Sequence, residues 1–166
     1  MPEQKEKLSI EDNIKKYLDG DAQKNALDFV MYLRENKISL QQKSMSSWKI
    51  VYKTFNVCFI EIKSNELHIV PLIGEYESDT LSIEKREIIL ANHRPCRPDC
   101  TGGNCRLKIF KIFGNQYCDG TCEASIRFIN PTVNDIECIK NVIQIRRSEI
   151  KEGKAKKHVY IAMRNR

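Results

Sequence analysis

The chain has 166 residues, enough for one domain with a real core and too few for two ordinary ones. Hydrophobic residues make up 41% and charged residues 30%, the balance of a soluble globular protein, and no apolar run is long enough to cross a membrane. The net charge of +6 is uneven: residues 140–166 hold nine Lys/Arg against two acids, a local +7, so any anion-attracting surface is expected at that end. The stretch Met1 to Lys7 has no apolar core behind its charges, which predicts no secretion signal and a cytoplasmic chain with reduced thiols.

Residues 8–19 read as a short helix, with Leu8, Ile10, Ile14, Tyr17 and Leu18 mostly on one face and Gly20 as its C-cap. Asp21 is then placed to cap a second helix, Lys24 to Asn36, with Ala26, Leu27, Val30, Met31 and Leu33 inward. The polar residues 37–47 read as a loop. After it the period changes from helical to alternating. Trp48, Ile50 and Tyr52 alternate with Lys49, Val51 and Lys53, Asn56 is expected to turn the chain, and Val57 to Ile62 returns. Ser64-Asn65 turns it again into Leu67 to Leu72, completing an antiparallel meander with Pro71 at a strand end or edge.

An acidic loop, Gly74 to Thr80, leads to a third helix from Ser82 to Asn92, whose apolar contacts are Ile83, Ile88, Ile89 and Leu90. Arg106 to Phe113 alternates, Gly114-Asn115 is a strong turn signal, and the chain comes back through Cys118. Glu123 to Ile129 reads as one strand, with Ala124, Ile126 and Phe128 on one face. Asn130-Pro131 is placed to cap the last long helix, whose stripe is Ile136, Ile139, Val142 and Ile143. Glu149 to Lys157 is expected to be a charged linker before a final strand, His158 to Met163. Helices, then strands, then helix, strands and helix make an α+β fold, a mainly antiparallel sheet packed with helices, in a single domain over 1–166.

Five of the seven cysteines fall between Cys96 and Cys122, within a cysteine-rich loop over 93–122. Seven is an odd number, which suits a disulfide framework poorly, and clustered thiols in a reducing compartment point first to metal. Zinc wants four soft or borderline ligands at tetrahedral corners. Cys96, Cys100 and Cys105 offer three thiols on one loop, stiffened by Pro95 and Pro98 and allowed to curl by Gly102 and Gly103. The returning hairpin supplies the fourth, Cys122 by preference because it shares the inward parity of the strand it precedes, with Cys118 or His93 as the alternatives. An iron–sulfur cluster is the other cofactor that four thiols suit. Cys58 and Cys138 sit in apolar patterns and read as core thiols, and His68 reads as exposed on the sheet's outer face.

No phosphate-binding glycine loop and no zinc-deaminase signature is present, and four or five thiols suit a closed structural site better than an open catalytic one. A binding role, not catalysis, is therefore expected, for a small molecule between sheet and helix, with Trp48 and Tyr52 as candidate lining residues, or for a protein partner. The alternatives are a nucleic-acid-associated module using Arg146, Arg147, Lys154, Lys156 and Lys157 in the basic segment 140–166, and a thiol redox enzyme or metal sensor. The segments Trp48-Lys-Ile-Val-Tyr-Lys, Val57-Cys-Phe-Ile and Ala91-Asn-His resemble small bacterial cysteine-cluster α+β proteins of unassigned function. The resemblance covers roughly residues 20–148 and implies a bacterial source and a cysteine-cluster domain, with no substrate or catalytic residue to carry over.

Overall fold

The computed structural model describes residues 8–73, 80–94, 108–113, 115–119 and 125–155. Two helices come first, α1 (Ile10–Tyr17) and α2 (Gly20–Glu35), followed by four strands, β1 (Ser39–Ser44), β2 (Ser47–Tyr52), β3 (Phe55–Lys63) and β4 (Glu66–Pro71). After α3 (Ile83–Ala91) come five short strands, β5 (His93–Arg94), β6 (Lys108–Ile112), β7 (Asn115–Asp119), β8 (Ser125–Ile126) and β9 (Phe128–Ile129). The long helix α4 (Val133–Lys151) ends the described order. The main sheet is antiparallel throughout, in the order β1-β2-β3-β4-β9. The pairs β5-β8 and β6-β7 form two separate two-stranded ladders. This is the expected α+β fold, a five-stranded antiparallel sheet packed with four helices.

Alternation decides the inner face of the sheet. Trp48 and Ile50 of β2, Ile60 and Ile62 of β3, Leu67 and Ile69 of β4 and Phe128 of β9 all join one buried cluster. Helices supply the other half through Ile14, Phe29, Val30 and Leu33 and through the predicted α4 stripe, Ile136, Ile139, Val142 and Ile143. Burying this much apolar side chain is the main favourable term in folding. Ser64 and Asn65 both take positive φ (53° and 60°), which gives the β3–β4 hairpin its two-residue turn where the sequence placed it.

Several local expectations are corrected. The polar stretch read as a loop contains β1, which exists because β2 pairs with it rather than because its residues prefer a strand. As an edge strand, β1 needs few apolar residues, and Leu40 alone packs on the core. In α2 the inward set is Ala26, Phe29, Val30 and Leu33, while Met31 is 54% exposed. The α2 helix starts at Gly20, after Asp19, and not behind an Asp21 cap. Lys53, with φ 55°, turns β2 into β3, and Asn56 pairs with Val51. Val57 is the extra residue of a bulge there, so Val57 and Cys58 are both buried.

The single strand expected over Glu123 to Ile129 is two strands in different ladders, with Arg127 at the step between them. Its backbone N–H bonds the carbonyl of Asn92 instead of a sheet neighbour. Thr132, not Asn130, caps α4, in a capping box with Asp135. Asn130 instead closes the end of β4: it takes φ 46°, its N–H bonds the Leu67 carbonyl at 2.8 Å, and its Oδ1 accepts from the Leu67 N–H at 2.9 Å. Glu149, read as linker, lies inside α4. The expected strand His158 to Met163 and the acidic residues 74–79 lie outside the described residues.

Candidate binding cleft and the placement of the predicted site residues

A cleft of about 980 Å³ opens between α1 and the tips of two hairpins. Leu8 just ahead of α1 and Asn13, Lys16 and Tyr17 within it form one wall, Gln42 to Ser46 at the end of β1 and in its turn form another, and Ile62, Ser64 and Asn65 of the β3–β4 hairpin form the third. Local hydrogen bonds fix all three walls. Ser9 caps α1 through the Asp12 N–H, and Asn13 Nδ2 donates back to the Ser9 carbonyl at 3.0 Å. At the first hairpin tip Ser44 and Ser47 share a hydroxyl–hydroxyl bond of 2.7 Å. The Ile62 N–H donates to the Ser46 carbonyl at 2.8 Å, which ties that tip to β3. Among the described residues, Lys16 and Lys43 are the charged lining residues and no carboxylate lines the cleft.

Sequence reasoning missed this site. Tyr17 was assigned to the core face of α1 but is an exposed ring at its last turn, and Met45 sits exposed at the hairpin tip. A large apolar side chain between serines, Ser44-Met45-Ser46, was the available signal. The candidate lining residues Trp48 and Tyr52 do not form a site. Trp48 is 3% exposed within the core, and Tyr52 is half-buried with the Arg147 guanidinium 4.9 Å from its ring centre.

His68 is another correction. It does lie on the outer face, between the core residues Leu67 and Ile69, but it is only 8% exposed there and sits in a polar chain. Arg127 Nη1 lies 3.2 Å from His68 Nδ1 and 3.3 Å from Glu61 Oε2, while His68 Nε2 lies 3.4 Å from Glu66 Oε2. Both ring nitrogens are engaged.

The basic end divides in two. Arg146 is 3% exposed and donates to Glu149 at 3.2 Å, so it belongs to the interior of α4's packing and not to a phosphate-facing surface. Arg147 donates to Asn36 and Gln144 while stacking on Tyr52. Lys154 is exposed and paired with Glu152 at 2.6 Å, and Lys156 and Lys157 lie outside the described residues. No helix among the described residues is long and apolar enough to cross a membrane.

Cys96, Cys100, Cys105 and Cys122 lie outside the described residues, and so does the side chain of Cys118, whose backbone pairs with Ile109. His93 opens β5 and is partly buried; desolvation lowers its pKa and so favours the neutral imidazole that binds metals. Among the described residues, no group of three or more His, Cys, Asp or Glu is placed to hold a metal. Cys58 and Cys138 are free, buried thiols, as their apolar patterns predicted. Burial pushes the Cys58 thiol far up and Cys138 to about 11, so both stay protonated and inert at neutral pH.

Comparison with protein-family models, curated proteins and solved structures found no match to this chain. The resemblance to small bacterial α+β proteins gains no support from it.

Proposed function

We propose that the chain is a binding domain whose cysteine-rich loop is clamped by a structural zinc ion. The observation that carries this reading is the tethering of the loop at two ladders. Arg94 pairs with Ser125, and Lys108 pairs with Asp119. Cys96 follows Arg94 by two residues, Cys105 precedes Lys108 by three, and Cys122 lies three from both Asp119 and Ser125. A residue reaches at most about 3.5 Å, so each of these cysteines is leashed within roughly 10 Å of a paired position. Cys122 is leashed to both ladders, which favours it as the ligand that joins the two arms.

The burial of Cys58 and Cys138 supports the same reading by removing them from the candidate ligands. Between Cys96 and Cys105 there is no large aliphatic residue, so burial offers this loop little, and metal binding coupled to folding is the device that replaces it. Zinc in a closed thiolate site supplies folding energy and no reaction.

The test is elemental analysis of protein purified without added metal, followed by Cys→Ser changes at Cys96, Cys100, Cys105, Cys118 and Cys122. About one zinc per chain, lost on changing four of the five, is the expected result for a tetrahedral site. Iron with sulfide would replace zinc by a cluster. Free reaction of all five loop thiols with no metal released would end the metal reading and favour a redox role.

A further inference from the structure

We propose that the cleft between α1 and the two hairpin tips binds a small organic anion carrying an apolar body. Its volume, about 980 Å³, lies within the range of small-molecule sites, roughly 300–1,000 Å³. Its walls are held by hydrogen bonds within and between the elements, so the concavity does not need a ligand to form.

Charge sets the sign of the ligand. Several cations elsewhere are paired with acids: Arg34 with Glu11, Lys140 with Asp28 and Glu137, Arg127 with Glu61, Arg146 with Glu149. Lys16 lies 5.2 Å from the ring centre of Tyr17, which lines the cleft with it; Lys43 also lines the cleft, and its ammonium lies 5.7 Å from the ring centre of Phe59, which does not. Neither has a carboxylate within ion-pair distance among the described residues. A cation over a ring face keeps its ammonium protons free for an incoming anion. Ser44, Ser46 and Ser64 add hydroxyls along the rim.

The apolar side is equally explicit. Tyr17 and Met45 are 39% and 56% exposed and both face this cleft, while Leu8 and Ile62 line it beside them. Tyrosine and methionine are adaptable contact residues for an apolar group of unspecified shape. A carboxylate, sulfonate or phosphate ester on a ring or short chain satisfies both halves, whereas a free inorganic anion satisfies only one.

This rests on the reading of the chain as a binding domain but not on the zinc. The experiment titrates the full chain with anilinonaphthalene sulfonate and with its uncharged counterpart phenylnaphthylamine, reading fluorescence, with zinc content measured on the same samples. The variants are Lys16→Gln, Lys43→Gln, Tyr17→Ala and Met45→Ser, all at exposed positions. Each lysine change is expected to weaken sulfonate binding about threefold, with added salt doing the same, and to leave the neutral dye unchanged. Tyr17→Ala and Met45→Ser are expected to weaken both dyes. Sulfonate binding that ignores both lysines, or a neutral dye that binds equally well, would overturn the proposal. Cosedimentation with phosphatidylglycerol vesicles without binding of the soluble sulfonate would overturn it too, assigning the cleft to a membrane surface. Zinc lost with anion binding kept, or the reverse, separates the failure of the clamp from the failure of the cleft.

Discussion

Arg127 reaches His68 and Glu61 with the same nitrogen, Nη1, at 3.2 Å and 3.3 Å. A guanidinium only donates, so His68 Nδ1 is the accepting nitrogen in this contact, and Nε2 faces Glu66 Oε2. The chain of groups ties the step between β8 and β9 to β3 and β4. Arg127→Ala is expected to cost about 1–2 kcal/mol, discounted because Glu61 is 40% exposed. Urea denaturation checks this. Arg127→Lys should recover only part of the loss, since a lysine cannot match the planar fork; full recovery would show that charge alone matters.

Arg146 and Glu149 form a different kind of pair, with side-chain exposures of 3% and 11%. Removing one partner leaves a buried charge, so Arg146→Ala and Glu149→Ala are each expected to cost about 3–5 kcal/mol. Replacing both, Arg146→Met with Glu149→Leu, is expected to restore most of the stability. Thermal melts of the three variants decide it, and a double variant as unstable as the singles would contradict it.

The buried thiols predict a weakness at alkaline pH. Folding raises the pKa of Cys58 and Cys138 through desolvation, so the folded state holds protons that the unfolded chain releases above about pH 8.5. Their stabilising contribution is complete below that pH and fades as pH climbs towards their folded values. By about pH 10 the loss should be about 1–2 kcal/mol per thiol. Cys58→Ala and Cys138→Ala lower stability at neutral pH but should flatten this alkaline fall. Equal falls in parent and variants, measured by urea midpoints near pH 7.5 and near pH 10, would rule the thiols out as its cause.

Asn130 combines a positive φ with a side-chain bond to Leu67. Asn130→Ala meets both costs and should lose about 1–2 kcal/mol. Asn130→Gly keeps the backbone conformation and should lose less. Chemical denaturation of the two variants tests the order; the reverse order would mean that neither the bond nor the φ value is limiting.

Features with a local cause were legible in the chain. Alternation at Trp48 and Ile50 placed an inner sheet face, the stripe Ile136, Ile139, Val142 and Ile143 placed the buried side of α4, and Ser64-Asn65 fixed a turn. Each depends on a period of two or three and a half residues, or on φ preferences, within a few positions. Gly20 shows the limit: it reads as the C-cap of α1, but Leu18 caps that helix and Gly20, with a left-handed φ of 51°, opens α2.

By itself, then, the sequence determined the fold class, the meander, the core stripes and the gathering of cysteines between Cys96 and Cys122. Only the tertiary structure decided that β1 is a strand, that Arg127 breaks one strand into two, that Arg146 faces inward to Glu149, and that Tyr17 and Met45 line one cleft. The reason is range. Periodicity and turn chemistry are set by neighbours along the chain, whereas an edge strand, a buried charge or a cleft is set by a partner that sequence spacing does not name: Arg127 finds His68 across 59 positions.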